Sequence, residues 1–304
     1  MSDTASSVLC GLVAAACWGV ADFLARDISQ GLGAFRAQLW SQLVGMVALG
    51  VAVVVVVGTD GVGDHVGVGV GDGTLADVAI RTWLFTAAYA VISSAGILCF
   101  FVAFGSGPLA VVAPIVGAYG AVTVAWSVLD GAVLTMRTLV GLTVVMAGVM
   151  LASVPARDAD RPAGHLRGVV AAMAAALLFG TAFFIMGREV VPHLGALLPT
   201  FIARLLGPIL LVTLAAIFPT RSGPIGPPPR PLWSKVLWSG LLSSIAVVAT
   251  GLGSRGGQSA IAAVTGSMSV VVTVIISMVL LREQLARHQW AGAMLAMAGV
   301  LALT

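Results

Sequence analysis

Long apolar segments dominate this chain and constrain its fold more than any other feature. A helix that crosses a bilayer needs about 20 apolar residues, and stretches of that length follow one another along nearly the whole sequence. Runs such as VALGVAVVVVV are apolar on every side, which favours helices over the alternating strands of a membrane barrel. Only 9% of the residues are charged, so we expect an all-α membrane protein. The segments predict ten transmembrane helices, at 8–26, 34–57, 79–103, 108–129, 136–154, 168–187, 195–217, 234–252, 258–281 and 287–304.

Several classes of function are disfavoured by features that the sequence lacks. Its net charge of +3 comes without a basic cluster, so we expect no nucleic-acid partner. There is no Walker-type loop and no set of metal ligands. Cys10, Cys17 and Cys99 lie in apolar segments, where cysteine packs as a small hydrophobe. We therefore expect neither an enzyme nor an ATP-driven pump, and no cofactor.

The two halves of the chain resemble each other. LGAFRAQLWSQLVG at 32–45 matches LGALLPTFIARLLG at 194–207, and VGLTVVMAGVMLA at 140–152 matches AGAMLAMAGVLAL at 291–303. Because small residues let membrane helices approach closely, matched glycines at seven-residue spacing predict packing faces. These glycines are Gly141 with Gly148, and Gly292 with Gly299.

Each half holds five predicted helices, so the second half must enter the membrane from the opposite side. Such an inverted-topology repeat is characteristic of secondary transporters, which bind substrate near the midplane between the halves. We expect a first five-helix repeat at 1–154, a linker at 155–167 and a second repeat at 168–304.

Short motifs add a family resemblance. CWGVADF at 17–23 resembles the Trp-Gly signature of the first helix in EamA-type transporters of the drug/metabolite transporter superfamily. LFGTAFF at 178–184 keeps the glycine, with Phe179 in the aromatic position. The segment 279–303 is similar to the ending of each family repeat, Leu-x-x-Glu followed by Gly-x6-Gly, with Glu283 as its acid. The resemblance implies a ten-helix exporter or exchanger of small metabolites that uses neither ATP nor a prosthetic group.

Two charged residues fall clearly inside predicted helices. Arg204 lies about nine residues into its helix, and a charge at that depth needs a partner, a water-filled cavity or a function. We predict that its planar donor fork binds an anionic group of the substrate, while Asp22 binds an amine or a proton. The alternative is structural, with Arg204 tied to helix-end carbonyls or an acid, and Asp22 paired with Arg26. In the first repeat the position of Arg204 is taken by Gln42.

Other polar and aromatic residues are candidates for the same cavity. Spacing of four places the two glutamines of the second helix on one face, and a buried tyrosine needs a hydrogen-bond partner. Serines can instead bond back to their own helix, and a tryptophan can simply fill space. Pro114 is expected to kink the fourth helix. The candidates are Trp18, Gln38, Gln42, Ser93, Tyr119 and Ser244.

Together these patterns predict a secondary transporter of small organic metabolites, such as amino acids or drugs, working by alternating access. The expected partners are a small-molecule substrate, the lipid bilayer and a coupling proton, and the protein is expected to be a monomer or homodimer. The expected location is the inner membrane of a prokaryotic cell. The alternative is a lipid-carrier flippase or a membrane assembly protein on the same fold.

Membrane orientation stays open at the level of sequence. Loops on the side of the termini carry four basic residues and the opposite loops carry ten. The positive-inside rule then places both termini outside the cytoplasm. The family resemblance implies the reverse.

Overall fold

The computed structural model describes residues 3–60, 78–106, 109–152, 165–217, 226–281 and 287–303. Every regular element in these ranges is helical. Five helices there are long and apolar enough to cross a membrane, namely Thr4–Leu32, Ala34–Val55, Ile80–Ser106, Leu166–Leu194 and Arg230–Gly253. Shorter apolar helices accompany them. The chain is therefore an all-helical integral membrane protein.

The helices fall into two similar series along the chain. The first half contains α1 (Asp3–Leu32), α2 (Ala34–Asp60), α3 (Ile80–Ser106), α4 (Leu109–Gly117), α5 (Tyr119–Leu129) and α6 (Met136–Ala152). The second half contains α7 (His165–Ile185), a π-helical turn (Met186–Val190), α8 (Val191–Leu194), α9 (Leu197–Ile217), α10 (Arg230–Gly253), a 3-10 turn (Arg255–Gly257), α11 (Ser259–Gly266), α12 (Ser269–Leu281) and α13 (Arg287–Leu303).

Several helices extend beyond the apolar windows that predicted them. Helix α1 continues to Leu32 and α10 begins at Arg230, and Asp27, in the extension of α1, finds a partner on α10. The Lys235 ammonium lies 2.5 Å from the Asp27 carboxylate, which ties the end of α1 to the start of α10. The segment 61–77, which is rich in glycine and aspartate, lies outside the described residues, as do most of the predicted linker and Glu283.

The outer surfaces of the helices are strongly apolar. Val54, Ile80 and Leu84 are 72%, 74% and 64% exposed, which is unfavourable in water. Exposed aliphatic side chains of this size suit contact with lipid acyl chains.

The matched LGA sequences have a backbone explanation. Gly33 and Gly195 adopt φ values of 75° and 67°, a region that residues with a side chain rarely enter. Each glycine also donates its N–H to the carbonyl four residues earlier, at 2.9 Å to Ser29 and 3.0 Å to Val191. Both glycines thus end a helix with a positive φ, and each turns the chain directly into the next helix.

One predicted helix is broken in each half, and proline is not the common cause. Helix α4 continues through Pro114 and ends at Gly117, and α5 begins after Ala118. The Ala118 N–H bonds to the carbonyl three residues earlier at 3.2 Å, and so does the Met268 N–H between α11 and α12. The second break has no proline within α11. The expected kink at Pro114 is therefore displaced to Ala118 and recurs in the second half without a proline.

The helices of one half pack on those of the other in matched pairs. Helix α1 packs on α10 as α3 packs on α7, while α2 pairs with α9 and α6 with α13. Of the four glycines predicted to pack the last helix of each half, Gly299 is in close contact, since a Cβ there would lie 2.6 Å from the Val145 nitrogen and 3.0 Å from the Gly141 carbonyl oxygen; packing by the other three stays a prediction.

A second contact between the halves is duplicated. The Thr273 hydroxyl donates to the Gly19 carbonyl at 3.1 Å, and the Thr123 hydroxyl donates to the Gly180 carbonyl at 3.1 Å. A Cβ on Gly19 would overlap Val272, and a Cβ on Gly180 would overlap Val122. The glycines of the CWG and LFG motifs are therefore positions where a neighbouring helix leaves no room for a side chain.

Candidate functional site

A cavity of about 100 Å³ lies between the two halves. Its wall draws on α1 to α5 from the first half and on α7, α9, α10 and α12 from the second. The polar and charged residues of the wall are Asp22, Ser41, Gln42, Ser93, Thr200, Arg204, Ser239, Ser243 and Ser269. The aromatic residues of the wall are Trp18, Tyr89, Phe100, Phe101, Tyr119, Phe179 and Phe183.

Arg204 lies in this wall on α9 and is only 5% exposed. Its terminal nitrogen donates to the Ser243 hydroxyl at 3.0 Å. The Tyr89 side chain lies close enough to interact electrostatically with the guanidinium. Ser243 in turn donates to the Gly240 carbonyl at 3.1 Å. Among the described residues Arg204 has no carboxylate within ion-pair distance. Most of its five donors are therefore available to an occupant of the cavity.

Gln42 faces Arg204 from the other half in a reciprocal arrangement. The Arg204 Cδ lies 3.4 Å from where a Cβ on Gly45 would be, one helical turn beyond Gln42. Conversely, the Gln42 amide occupies the space that a Cβ on Gly207 would need, one turn beyond Arg204. The two long side chains thus cross between α2 and α9, each over a glycine of the other helix.

Asp22 lines the cavity from α1. The alternative pairing with Arg26 is not formed, and the ion pairs of the described residues do not include Asp22. Tyr119 of the same wall lies close enough to interact electrostatically with it. Asp22 is thus a carboxyl group facing the cavity, available to a proton or a cationic group.

Three aromatic rings from three helices pack together beside Asp22. The centroid of Trp18 lies 5.8 Å from that of Tyr119 and 5.4 Å from that of Phe183, and the latter two are 5.3 Å apart. The Tyr119 hydroxyl is buried and has no hydrogen-bond partner among the described residues. This aromatic wall offers apolar area together with one unused hydroxyl.

The remaining candidates divide between the cavity and the helix interfaces. Ser93 lines the cavity and bonds back to the Ala90 carbonyl at 3.2 Å. Gln38 is fully buried away from the lining, where it donates to the Ser94 carbonyl at 2.8 Å. Ser244 also lies outside the lining and donates to the Gly240 carbonyl at 2.8 Å. Substrate binding by these residues stays a prediction.

Sequence reasoning missed several polar residues of the wall, among them Tyr89, Thr200 and Ser239. Tyr89 could have been proposed from the sequence, because the chain contains only two tyrosines and both lie in apolar segments. Thr200 and Ser239 had none, since single hydroxyls are common in membrane helices and bond back to the backbone. Among the described residues no group of three or more His, Cys, Asp or Glu side chains is placed to hold a metal ion.

The fold and the cavity define a helical integral membrane protein whose polar centre is lined by helices from both halves of the chain. A solved structure titled "Crystal structure of protein" is similar over 99% of this chain and 96% of its own, with a TM-score of 0.71 and 17% identity. That likeness concerns the fold alone. Comparison with curated proteins gives no match.

The second half carries the family assignment. Residues 166–304 match the model of the EamA-like transporter family. The resemblance seen in the motifs, to EamA-type transporters of the drug/metabolite transporter superfamily, is thus confirmed over these residues of the second half.

Proposed function

We propose that the chain is a secondary transporter of small organic solutes, built as ten transmembrane helices in two inverted five-helix repeats. In this arrangement α4 with α5, and α11 with α12, each form one broken span, and α7 continues through the π turn into α8. The repeats cover 1–154 and 168–304.

The duplicated contacts between the halves support the repeat. In the repeat, α1 corresponds to α7 and α3 corresponds to α10. The packing of α1 on α10 therefore has its counterpart in the packing of α7 on α3, and both pairs are present. The same correspondence relates the Thr273 bond to Gly19 with the Thr123 bond to Gly180. A pseudo-two-fold relation of this kind gives one central site two equivalent routes, one to each side of the membrane.

The single observation that carries the transport proposal is Arg204 at the cavity wall, buried and without an acidic partner among the described residues. A guanidinium in a membrane span costs at least about 2.5–3.5 kcal/mol on insertion scales. An anionic group entering the cavity offsets part of that cost, because bonds to charged partners are the strong ones. We therefore assign Arg204 as the anion-binding residue of the substrate site.

The size of the cavity favours a small solute over a lipid. A volume of about 100 Å³ corresponds to several water positions at roughly 10–15 Å³ each. A lipid carrier with long acyl chains needs a much larger opening. Asp22 on the same wall is the proposed carrier of a coupling proton.

Arg204→Ala tests this assignment. We expect loss of solute-dependent thermal stabilisation in a panel of amino acids, sugars, nucleosides and cationic drugs, and loss of transport in proteoliposomes. The melting temperature without ligand should stay the same or rise, because the removed charge has no acidic partner. Normal ligand stabilisation by the variant contradicts the proposal. Unfolding of the variant would assign Arg204 to structure instead.

A further inference from the structure

Gln42 is the most under-bonded side chain around the cavity. It is 0% exposed and lies in the cavity wall. Neither its amide oxygen nor its amide nitrogen has a hydrogen-bond partner among the described residues. Burying both groups unpaired is unfavourable, so the side chain is suited to an occupant that supplies one acceptor and one donor together.

The neighbours of Gln42 restrict where that occupant lies. On one side the amide is packed against Gly207 of α9, where even a Cβ would overlap it. The Arg204 side chain crosses beside it, over Gly45. The adjacent Ser41 hydroxyl is also buried in the cavity wall and has no hydrogen-bond partner within the described ranges. A ligand group that reaches Gln42 therefore comes close to the Arg204 side chain.

The chemistry of the two side chains is complementary. Arg204 offers donors only, so it binds an anionic oxygen. The Gln42 NH2 can donate to the second oxygen of the same carboxylate. The Gln42 carbonyl oxygen then faces the atoms next to that carboxylate and accepts from a donor there. A simple carboxylate satisfies the guanidinium and the amide NH2 but leaves the amide oxygen unpaired.

We propose that Gln42 is a specificity-determining residue that reads a hydrogen-bond donor on the carbon next to a substrate carboxylate. The substrate class is then the α-hydroxy and α-amino carboxylates. The inference deepens the proposed transport function and rests on it, since both place the substrate carboxylate at Arg204.

A matched ligand series tests this role on the full-length protein in detergent. Each series holds the side chain fixed and compares a plain carboxylate with its α-hydroxy and α-amino analogues. Methyl, isobutyl and benzyl side chains cover the sizes of interest: propionate with lactate and alanine, 4-methylpentanoate with leucic acid and leucine, and 3-phenylpropionate with phenyllactate and phenylalanine. Affinities are read from thermal shift and calorimetric titration.

In the wild type we expect the α-substituted members of at least one series to bind about tenfold or more tightly than the plain carboxylate. Gln42→Leu should bring that ratio close to one, and Gln42→Met serves the same purpose if the leucine variant is unstable. Gln258→Leu is the matched control, because Gln258 lies outside the cavity lining and its side chain caps no helix. It should keep the wild-type ratio.

The possible results separate the two proposals. Equal wild-type affinity for plain and α-substituted carboxylates overturns the role of Gln42 and leaves the anion site intact. A preference that survives in the Gln42 variants overturns it as well. Binding of no carboxylate in any series overturns the anion site itself, and the role of Gln42 with it.

Discussion

We predict that the positive charge of the cavity can be moved from one half of the protein to the other by exchanging the residues at positions 42 and 204. Arg204 and Gln42 are reciprocal in position, each crossing a glycine of the opposite helix. The surroundings of Gln42 also contain the partner that an arginine needs. Ser93 bonds back to Ala90 at 3.2 Å as Ser243 bonds back to Gly240 at 3.1 Å. An arginine at position 42 should therefore meet Ser93 as Arg204 meets Ser243.

The magnitude follows from the charge-assisted bonds involved. Arg204→Gln leaves two amides and removes the cation, which costs about 1.5–3 kcal/mol of carboxylate binding, or roughly 10- to 150-fold in Kd. Adding Gln42→Arg to this variant restores both one guanidinium and one amide. We expect the double variant to recover affinity to within about tenfold of the wild type.

Calorimetric titration with the best carboxylate ligand, followed by uptake in proteoliposomes, measures the effect. Gln42→Arg alone is the necessary control, since two adjacent guanidinium groups should repel and lower stability. A double variant that binds as poorly as Arg204→Gln would falsify the equivalence of the two positions. If the double variant recovers binding but not transport, the two positions are equivalent for substrate binding only and not for the transport cycle.

Two further perturbations address the proton and the packing. Asp22→Asn should flatten the pH dependence of uptake, because an amide cannot carry a proton in exchange; identical pH profiles for variant and wild type would assign Asp22 to structure. Gly19→Ala should lower the melting temperature, since the new Cβ overlaps Val272 and overpacking costs about 1–3 kcal/mol. Gly105→Ala is its control, because a Cβ there lies 3.5 Å from Ser29 in ordinary contact; equal stability of the two variants would contradict the packing argument.

The helical membrane fold was predictable because hydropathy is a property of long windows. Twenty apolar residues have few alternatives to a helix in lipid, so each described helix overlaps a segment that predicted one, except the short α8 at Val191–Leu194, which falls between two of them. Helix ends were less predictable. Helix α1 runs past its predicted end through Asp27, which meets Lys235 across 208 residues of sequence, and no local window contains that information. The break at Ala118 lies where α4 packs on α12 and α5 packs on α11, contacts between segments far apart in the sequence.

Of the cavity residues, only the charged ones could be singled out clearly from the sequence. Arg204 and Asp22 stand out because ionisable residues in spans are costly, and both lie in the wall. Gln38 and Gln42 were indistinguishable in sequence, being one turn apart on one face. Their environments differ because Gln38 meets the Ser94 carbonyl of α3, whereas Gln42 lies where α2 crosses Gly207 of α9. Such differences depend on how neighbouring helices cross.

The paired glycines have a consequence for how the two halves can diverge. Gly33 with Gly195, and Gly19 with Gly180, are held by backbone geometry and by steric exclusion, so neither half can replace them cheaply. Residues that face the cavity carry no such restriction, and glutamine in one half stands opposite arginine in the other. Substitutions in one copy can therefore change what the central compartment recognises while the other copy keeps the shared framework. A protein built this way can acquire a new cargo through one half at a time.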